Sequence, residues 1–458
     1  MKDGRWHEAD EATNLNLVAF GSCRKQKRAQ PIWESIARLK PDAYFWLGDA
    51  VYGKSPASPD DLLEYYTTAT TAEAPLRDTV SIIDGVYDDH DYGENDAGKH
   101  YRYRDDARRL FLDYVQEPAS SPRRTQTGGL YGTRTFGATP HQIKLIMLDT
   151  RYGRDDHLVR SPGSSKWLPK PGYIAAAVRG LCATLGVGRD FDGDVLGSEA
   201  QWRWLERELT NSTAAAHLII SSVQVLTSSP IVESWGHFPR SKRRLLQLLA
   251  DARPAGALLL SGDVHYAELI GSRIEDSEAP GAGVLEVTAS GLTHSCGDSY
   301  VGKVLCGTTL RLFGGHRYVQ EAPSAASEDA PPAGWMQPGA SLGARNFGTI
   351  AFEWGTPFES PPHMLVRIHD EDGTPRLTHT QPLGLSPELE AARWRRALAM
   401  PDIFEGAGVL RATLAWVLLL AGLVATVGLK FVTASSTRRA GARARRLEKK
   451  GLRGRKVD

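Results

Sequence analysis

The chain has 458 residues, of which 41% are apolar, and its 55 Lys and Arg residues balance 54 Asp and Glu residues to a formal net charge of +1. The apolar share is enough for a buried core and excludes a wholly disordered chain. The balanced charge argues against a general nucleic-acid-binding protein, so no nucleic-acid partner is expected. Four cysteines without a C-x-x-C pair exclude a disulfide-rich scaffold and a zinc ribbon.

Short apolar runs that end in glycine or polar residues predict strands along the whole chain. In chain order the predicted strands cover residues 15–20, 43–47, 81–87, 143–148, 217–223, 257–260, 284–288, 348–352 and 364–368. Apolar periodicity predicts helices over residues 31–39, 198–209 and 242–252. The second helix has Ser198 as its expected N-cap and Gln201 three positions later, the pattern of a capping box. Strands that alternate with helices predict an α/β sheet covered on both faces.

Other stretches have no clear periodicity. Residues 161–172 and 320–334 are typical of exposed inserts, and the wider stretch 293–353 is irregular. Cys296 and Cys306 lie in that stretch, either as a disulfide, if the domain is luminal, or as free thiols. The predicted organisation is a catalytic domain over residues 1–381, a link over 382–411, a membrane helix over 412–432 and a basic tail over 433–458.

The membrane signal runs from Ala412 to Val432. Its first eighteen residues contain no charge, and as a helix they would extend roughly 27 Å, close to the thickness of a bilayer core. Ten Lys or Arg residues follow it, against four basic residues on the preceding flank from Arg393 to Arg411. The positive-inside rule therefore predicts a single-pass membrane protein with a cytosolic tail and an extracellular or luminal catalytic domain.

The first twenty residues conflict with that orientation, because they contain no apolar run of signal-peptide length. Two alternatives stay open. Either the start of the chain is incomplete, or the protein is tail-anchored with its bulk in the cytosol.

Polar clusters directly follow four of the predicted strands. They are Ser22-Cys23, Gly48-Asp49 with Tyr52, the run from Asp88 to Asp91, and Gly262-Asp263-Val264-His265. Each has an ordinary explanation alone, since Gly-Asp is a common turn and a lone cysteine is most often a small buried apolar residue. Together they would gather carboxylates, imidazoles, a thiol and a phenol at one sheet edge, where α/β proteins bind ligands. Carboxylates that close repel one another unless cations neutralise them, so the pattern predicts metal ions.

The order of these motifs resembles the calcineurin-like metallophosphoesterases and, within them, the PhoD-like (alkaline phosphatase D) family. The resemblance runs from about Leu17 to Ser290 and includes FGSC, WLGDAVY, DDHDYGEND, LDTRY, LGSEAQWRWLE, SSVQV, SGDVHYAEL and ASGLTHS. It implies a four-layer α/β sandwich and hydrolysis of phosphate esters. It also implies two or more metal ions, ferric iron (Fe3+) with calcium (Ca2+), although other divalent metals stay open.

The same resemblance implies roles for individual residues. The iron would be held by Cys23, Asp49, Tyr52 and His265. Asp49 would bridge to a second metal, which Asp263 and an aspartate of the DDH triplet would complete; the family usually has Asn before the catalytic histidine, which favours Asp89 and leaves Asp88 open. His90 would stabilise or protonate the leaving oxygen.

The phosphate group needs a cation, for which Arg24, Lys27, Arg28 and Arg151 are candidates. Arg151 is preferred because it directly follows a predicted strand in LDTRY, and the alternative for it is a structural ion pair.

The predicted activity is therefore two-metal hydrolysis of a phosphate ester near a lipid bilayer. A phosphodiesterase acting on lipid-derived or nucleotide diesters is the alternative within the enzyme class. A membrane-bound module that binds metals without catalysis is the alternative outside it.

Overall fold

The computed structural model describes residues 13–159, 171–273, 283–300, 302–304, 306, 341–355, 361–400 and 402–405. These residues contain two β-sheets. The strands are β1 (Leu17–Gly21), β2 (Ala43–Leu47), β3 (Ile82–Val86), β4 (Gly132–Phe136), β5 (Ile143–Met147), β6 (Ala216–Ile220), β7 (Ala257–Ser261), β8 (Ala267–Arg273), β9 (Gly283–Ala289), β10 (Ser341–Leu342), β11 (Asn346–Glu353), β12 (His363–Asp370) and β13 (Pro375–Pro382).

Helices lie between many of these strands. They are α1 (Ile32–Leu39), α2 (Pro59–Ala72), α3 (Ala74–Arg77), α4 (Asp89–Tyr92), α5 (Arg104–Tyr114), α6 (Pro122–Thr125), α7 (Pro171–Thr184), α8 (Glu199–Thr210), α9 (Pro239–Ala252) and α10 (Pro387–Leu398), with a 3-10 turn at Trp235–His237. The predicted mixed α/β class is confirmed.

The two sheets have similar construction. Within the described residues the first sheet has the order β13–β12–β11–β1–β2–β3, and the second has the order β10–β8–β9–β7–β6–β5–β4. Strands β1, β2 and β3 run parallel, as do β5, β6, β7 and β9. The parallel strands of each sheet therefore present their carboxyl ends on one edge, which is where the polar clusters of the sequence begin.

Alternate side chains of β2 contact different layers. Tyr44 and Trp46 meet Trp33 of α1 with ring centroids 5.7 and 5.8 Å apart, whereas Phe45 points to the other side and lies 6.4 Å from Phe136 of β4. Because successive residues of a strand face opposite sides, β2 is buried on both faces. One face packs on a helix and the other on the second sheet.

The second sheet shows the same alternation. Leu145 and Met147 of β5 belong to the apolar cluster shared with the first sheet, and Ile146 belongs to a second cluster that includes Trp202 of α8 and Leu245 of α9. Helices thus cover the outer face of each sheet, and the two inner faces form the central core.

All nine predicted strands are present, with ends shifted by a few residues, and so are the three predicted helices. The predicted capping box is half right. The Ser198 side chain accepts a hydrogen bond from the Gln201 backbone N–H at 3.2 Å, as an N-cap should. The Gln201 side chain instead accepts from the backbone N–H of Asp149 and donates to its carbonyl oxygen. It is therefore not available for the hydrogen bond to the Ser198 backbone N–H that a full capping box requires.

Helix α10 occupies part of the segment that was predicted to link the folded domain to a membrane. Its Arg393 is fully buried and donates hydrogen bonds to the carbonyl oxygens of Gly283 at 2.8 Å and Ala257 at 2.9 Å. Its Glu390 accepts from the backbone N–H of Gly256 at 2.9 Å. The helix is therefore part of the folded body, because it supplies the hydrogen bonds of strand ends in the second sheet.

Several predictions fall outside the described residues. They concern the membrane helix over 412–432, the tail over 433–458, the insert over 320–334 and most of the insert over 161–172. Within the part of the chain that the structure describes, no helix has both the length and the apolar character to span a bilayer.

We expect Trp394→Ala in α10 to lower the free energy of unfolding by about 3–5 kcal/mol, the usual cost of truncating a buried aromatic side chain. Trp394 has no exposed surface. Urea denaturation would measure the change, and Arg395→Ala, on the exposed side of the same helix, is the control that should stay within about 0.5 kcal/mol of the wild type. Equal stability of the two variants would show that α10 is only a link.

Candidate metal centre

The two sheets are joined at their carboxyl edge by a short bridge between Ser22, after β1, and Ser290, after β9. The Ser290 hydroxyl lies 3.0 Å from the Cys23 sulfur and accepts a hydrogen bond from the His265 backbone N–H at 2.8 Å. Gly48 lets the loops come this close, because a Cβ at that position would lie 2.5 Å from the Asp88 Cβ. The edge is therefore one continuous site built from both sheets.

The structure brings the first group of predicted ligands close together. Candidate ligand atoms of Cys23, Asp49 and His265 lie within 4.8 Å of one another. The Tyr52 hydroxyl donates to Asp49 Oδ2 at 2.5 Å and lies 3.1 Å from His265 Nε2. A thiol, a phenol, an imidazole and a carboxylate thus converge on one point, and thiolate, phenolate and imidazole donors suit a transition metal.

The backbone at this point is strained. Four predicted ligands have left-handed backbone conformations, which non-glycine residues rarely adopt; they are Cys23 (φ 65°), Asp49 (φ 54°), Asp263 (φ 70°) and His265 (φ 62°). Each costs about 1–3 kcal/mol, and such strain persists at sites where the surrounding structure imposes it. The four residues lie in the loops after β1, β2 and β7, and their candidate ligand atoms all belong to the shared site.

A second group contains only carboxylates. Oxygens of Asp49, Asp88, Asp89 and Asp263 lie within 4.8 Å of one another. Burial and the charges of Asp89 and Asp88 raise the pKa of Asp49 well above its ordinary value, and burial with the charge of Asp88 does the same to the pKa of Asp263. The carboxylates cannot all ionise together without a cation.

Two oxygens of this group show where a cation fits. Asp88 Oδ2 and Asp89 Oδ1 are buried and have no hydrogen-bond partner among the described residues. The other oxygen of each is engaged, because Asp88 Oδ1 accepts from Arg151 at 2.6 Å and Asp89 Oδ2 accepts from the Asp96 backbone N–H at 2.8 Å. Buried oxygens normally find a partner, so the donor set fits a hard metal ion such as calcium. Both aspartates have a free oxygen, and the choice between them stays open.

His90 lies beside both groups. Its ring packs on the Tyr52 ring with centroids 4.0 Å apart, its backbone N–H donates to Asp49 Oδ1 at 3.2 Å, and its side chain is 23% exposed. Burial lowers the pKa of His90. The imidazole is therefore held at the rim of the carboxylate group, where an incoming ester could reach it.

The surroundings of Arg151 favour the second of its two predicted roles, a structural ion pair, over a contact with the phosphate group. It is fully buried, donates through Nε to Asp88, and forms a two-pronged pair with Glu233 at 2.9 and 3.1 Å. Because these carboxylates take its donors, the arrangement does not support the predicted phosphate contact. Arg151 instead balances charge behind the metal centre.

Sequence reasoning missed the network around Glu233, a buried residue in the loop after β6. Glu233 also pairs with Arg154 and lies 2.9 Å from His157 Nε2, and Asp96 pairs with Arg179 of α7. No local motif marks these residues, since the partners are far apart in the chain. A buried charge without a partner is strongly destabilising, so these buried ion pairs are stable only because each charge has a partner of opposite sign.

The acidic stretch from Asp88 to Asp96 is therefore divided among several tasks. Asp91 accepts hydrogen bonds from the backbone N–H groups of Ala50 at 3.0 Å and Val51 at 3.1 Å, which holds the loop that follows Asp49. Asp96 belongs to the ion pair with Arg179. Protein groups therefore partner Asp91 and Asp96, and among the aspartates of this stretch Asp88 and Asp89 keep an oxygen without a hydrogen bond in the described part of the chain.

A site defined by parallel strands, a carboxylate cluster and converging thiol, phenol and imidazole groups is typical of metal-dependent hydrolases. The family model described as PhoD-like phosphatase matches residues 82–335, more than half of the chain. The chain belongs to the PhoD-like phosphatase family. It is a phosphoester hydrolase.

Solved structures show more distant similarity. The chain is 16% identical to the protein described as "Structure of PhoD", over 85% of this chain and 78% of that one, with a TM-score of 0.49. A 5'-nucleotidase precursor from Thermus thermophilus is 11% identical, over 90% of this chain and 60% of that one, with a TM-score of 0.31. No curated protein matches the chain.

We expect Arg151→Gln to lower the free energy of unfolding by about 3–5 kcal/mol, because it removes the buried cation that pairs with both Asp88 and Glu233. Arg109→Gln is the matched control, since Arg109 is 56% exposed in its surface pairs and such pairs contribute about 0–1 kcal/mol. Chemical denaturation would measure both. If Arg151→Gln were as stable as the wild type but bound inorganic phosphate more weakly, the result would support the predicted contact between Arg151 and the phosphate group.

Proposed function

We propose that this hydrolase works with two metal ions held where the two sheets meet. Cys23, Tyr52 and His265 would hold one ion, and Asp263 with an aspartate of the DDH triplet would hold the other, with Asp49 shared between them. Asp88 Oδ2 and Asp89 Oδ1 carry the proposal, because neither has a hydrogen-bond partner among the described residues and a buried carboxylate oxygen is costly to leave without one. Asp89 Oδ1 has a long contact of 3.9 Å to His90 Nε2, which is beyond hydrogen-bond distance.

The donor types favour Fe3+ at the first position and Ca2+ at the second, since thiolate and phenolate suit a trivalent transition metal and carboxylates suit calcium. When bound, such ions supply an activated water and neutralise charge on the phosphoryl group. The chain's own groups orient the ester. The strained backbone of Cys23, Asp49, Asp263 and His265 holds the ligands ready before substrate arrives.

His90 would give a proton to the leaving oxygen or stabilise its charge. Its partly exposed ring, stacked on Tyr52 at the rim of the site, is suited to that task. A phosphate monoester is the favoured substrate, and a lipid-derived or nucleotide diester is the alternative. A module that binds metals without catalysis is disfavoured, because the full ligand set is assembled at one site.

We also propose that residues 412–432 anchor the protein in a bilayer, with the basic tail in the cytosol and the catalytic domain outside it or in a lumen. The uncharged run and the ten basic residues after it support this orientation. The disulfide between Cys296 and Cys306 supports it too, because disulfides persist mainly in oxidising compartments. The opposite, tail-anchored orientation is the alternative.

The metal proposal is tested by comparing Asp49→Asn with His90→Ala. Asp49→Asn should remove metal and reduce turnover of a chromogenic phosphate monoester by about 100-fold or more, the scale of losing one preorganised electrostatic contact. Asparagine tolerates the left-handed backbone of position 49, so the fold should persist. His90→Ala should reduce turnover by roughly 100-fold or more while keeping the metal.

Elemental analysis and steady-state kinetics on the same preparations give both readouts. Asp49→Asn activity within about tenfold of the wild type would contradict the shared-ligand role. Loss of metal from His90→Ala in proportion to activity would make His90 a ligand.

The orientation is tested with protease on sealed vesicles. Protease on the cytosolic side should remove the tail over 433–458 and spare the catalytic domain, because basic residues next to a membrane helix resist translocation. Detergent-permeabilised vesicles, in which both parts are cleaved, are the control. Digestion of the catalytic domain in sealed vesicles would establish the tail-anchored alternative.

A further inference from the structure

The cationic residues that sequence reasoning selected for the phosphate group are all engaged by other partners. Arg24 is fully buried, whereas Lys27 has a side chain 70% exposed and turned toward α2. The pairs are Arg24–Glu73 at 2.5 Å, Lys27–Glu64 at 3.8 Å, Arg28–Asp298 at 2.9 Å and Arg151–Glu233 at 2.9 Å. Arg24 and Arg151 are therefore held by buried carboxylates, whereas the exposed pairs of Lys27 and Arg28 are weak and show only which carboxylates those side chains face.

Lys25, which sequence reasoning passed over, is different. Its ammonium nitrogen lies 5.5 Å from the centre of the Tyr52 ring, and no hydrogen-bond or ion-pair partner is found for it among the described residues. Its backbone is held by a hydrogen bond from its N–H to the Thr293 hydroxyl at 2.7 Å. Lys25 is therefore a positioned and partly exposed cation at the mouth of the metal centre.

The Tyr52 ring that Lys25 faces lies between three imidazoles. Its centroid is 4.0 Å from that of His90, 6.2 Å from that of His265 and 4.9 Å from that of His294. An ammonium group over this ring is therefore close to the space that the three imidazoles enclose.

His294, in the loop after β9, is the second unassigned residue at this place. It is 5% exposed, and neither of its ring nitrogens has a partner in the described part of the chain. Its ring meets the rings of Tyr52 and His265 edge to face, with centroids 4.9 and 4.3 Å apart. A buried imidazole with two partnerless nitrogens points to a ligand that completes its hydrogen bonds.

We propose that Lys25 and His294 form a subsite for the phosphoryl oxygens of the substrate, and that this subsite makes the enzyme prefer phosphate monoesters to diesters. The inference rests on the proposed function, because it assumes that the ester binds at the metal centre. Lys25 supplies a full positive charge at the open side, and His294 supplies an N–H donor from the buried side.

The preference follows from charge. A monoester carries almost two negative charges near neutral pH, since its second pKa is about 6, and a diester carries one. The diester also replaces one charged oxygen by a bulky ester group. An ammonium group beside the phosphoryl oxygens therefore stabilises the bound monoester more strongly, because the monoester presents three nonbridging oxygens with almost two charges and the diester presents two oxygens with one charge.

The experiment compares Lys25→Gln, the charge-preserving Lys25→Arg and the control Lys27→Gln. Substrates are p-nitrophenyl phosphate and bis(p-nitrophenyl) phosphate, and competitive inhibition is measured with inorganic phosphate and with dimethyl phosphate. Metal content is determined for every variant. His294→Phe, which keeps an aromatic ring of similar shape without nitrogens, is the variant for the second residue.

We expect the wild type to prefer the monoester, and Lys25→Gln to lower kcat/KM for it by about tenfold or more while the diester changes by less than about threefold. Inhibition by inorganic phosphate should weaken in Lys25→Gln and in His294→Phe, whereas inhibition by dimethyl phosphate changes little. Lys25→Arg should recover most of the monoester activity, and Lys27→Gln should match the wild type. Metal content should stay unchanged throughout.

An equal loss for monoester and diester, a loss of metal in Lys25→Gln, or unchanged kinetics would each overturn the subsite. A wild type that prefers the diester would overturn the preference while leaving phosphoester hydrolysis at the metal centre intact. A wild type that retains its metal and hydrolyses neither ester would instead contradict the proposed function.

Discussion

The structure depends on keeping a group of buried carboxylates together at the edge where two sheets meet. Asp49, Asp88, Asp89 and Asp263 gather there, and their mutual repulsion would open the edge if no cation balanced it. Arg151 balances part of this negative charge from the buried side by forming ion pairs with Asp88 and Glu233. The proposed metal ions would balance the remaining negative charge on the other side, where two carboxylate oxygens have no hydrogen-bond partner among the described residues. The same carboxylates are thus stabilised partly by a buried arginine of the fold and partly by the metal ions proposed for the reaction.

The same edge shows why the ligands can be ready before a substrate arrives. Four of the predicted ligands have left-handed backbone in the loops that follow strands, and their candidate ligand atoms meet in one site. The strain costs several kcal/mol in total, which the apolar layers between the sheets and under the helices can offset. Asp91, by binding the backbone of Ala50 and Val51, shows how a nearby carboxylate is used to hold a strained loop.

Local sequence signals predicted most of the strands but few of the helices that the described residues contain. Strand β13 has the polar sequence PRLTHTQP and gains its partner only from the neighbouring β12. Helix α2 was missed although its signal was present, since Ser58 and Asp61 form a capping box at its start. Helix α10 lies within the predicted link over 382–411, and only the strand-end partners of its Arg393 and Glu390 show that these two charged side chains are buried.

The sequence by itself determined the alternation of strands and helices, the placement of polar clusters after parallel strands, and the residue types of the ligand set. These depend on short-range periodicity and on the common edge of parallel strands. Tertiary structure alone decided which carboxylate oxygen stays partnerless, that Arg151 is occupied, and that Lys25 is not. Those outcomes depend on distances between groups that are far apart in the chain, 134 residues for Ser222 and Asp88 and 268 residues for Lys25 and Thr293, and no local pattern encodes such distances.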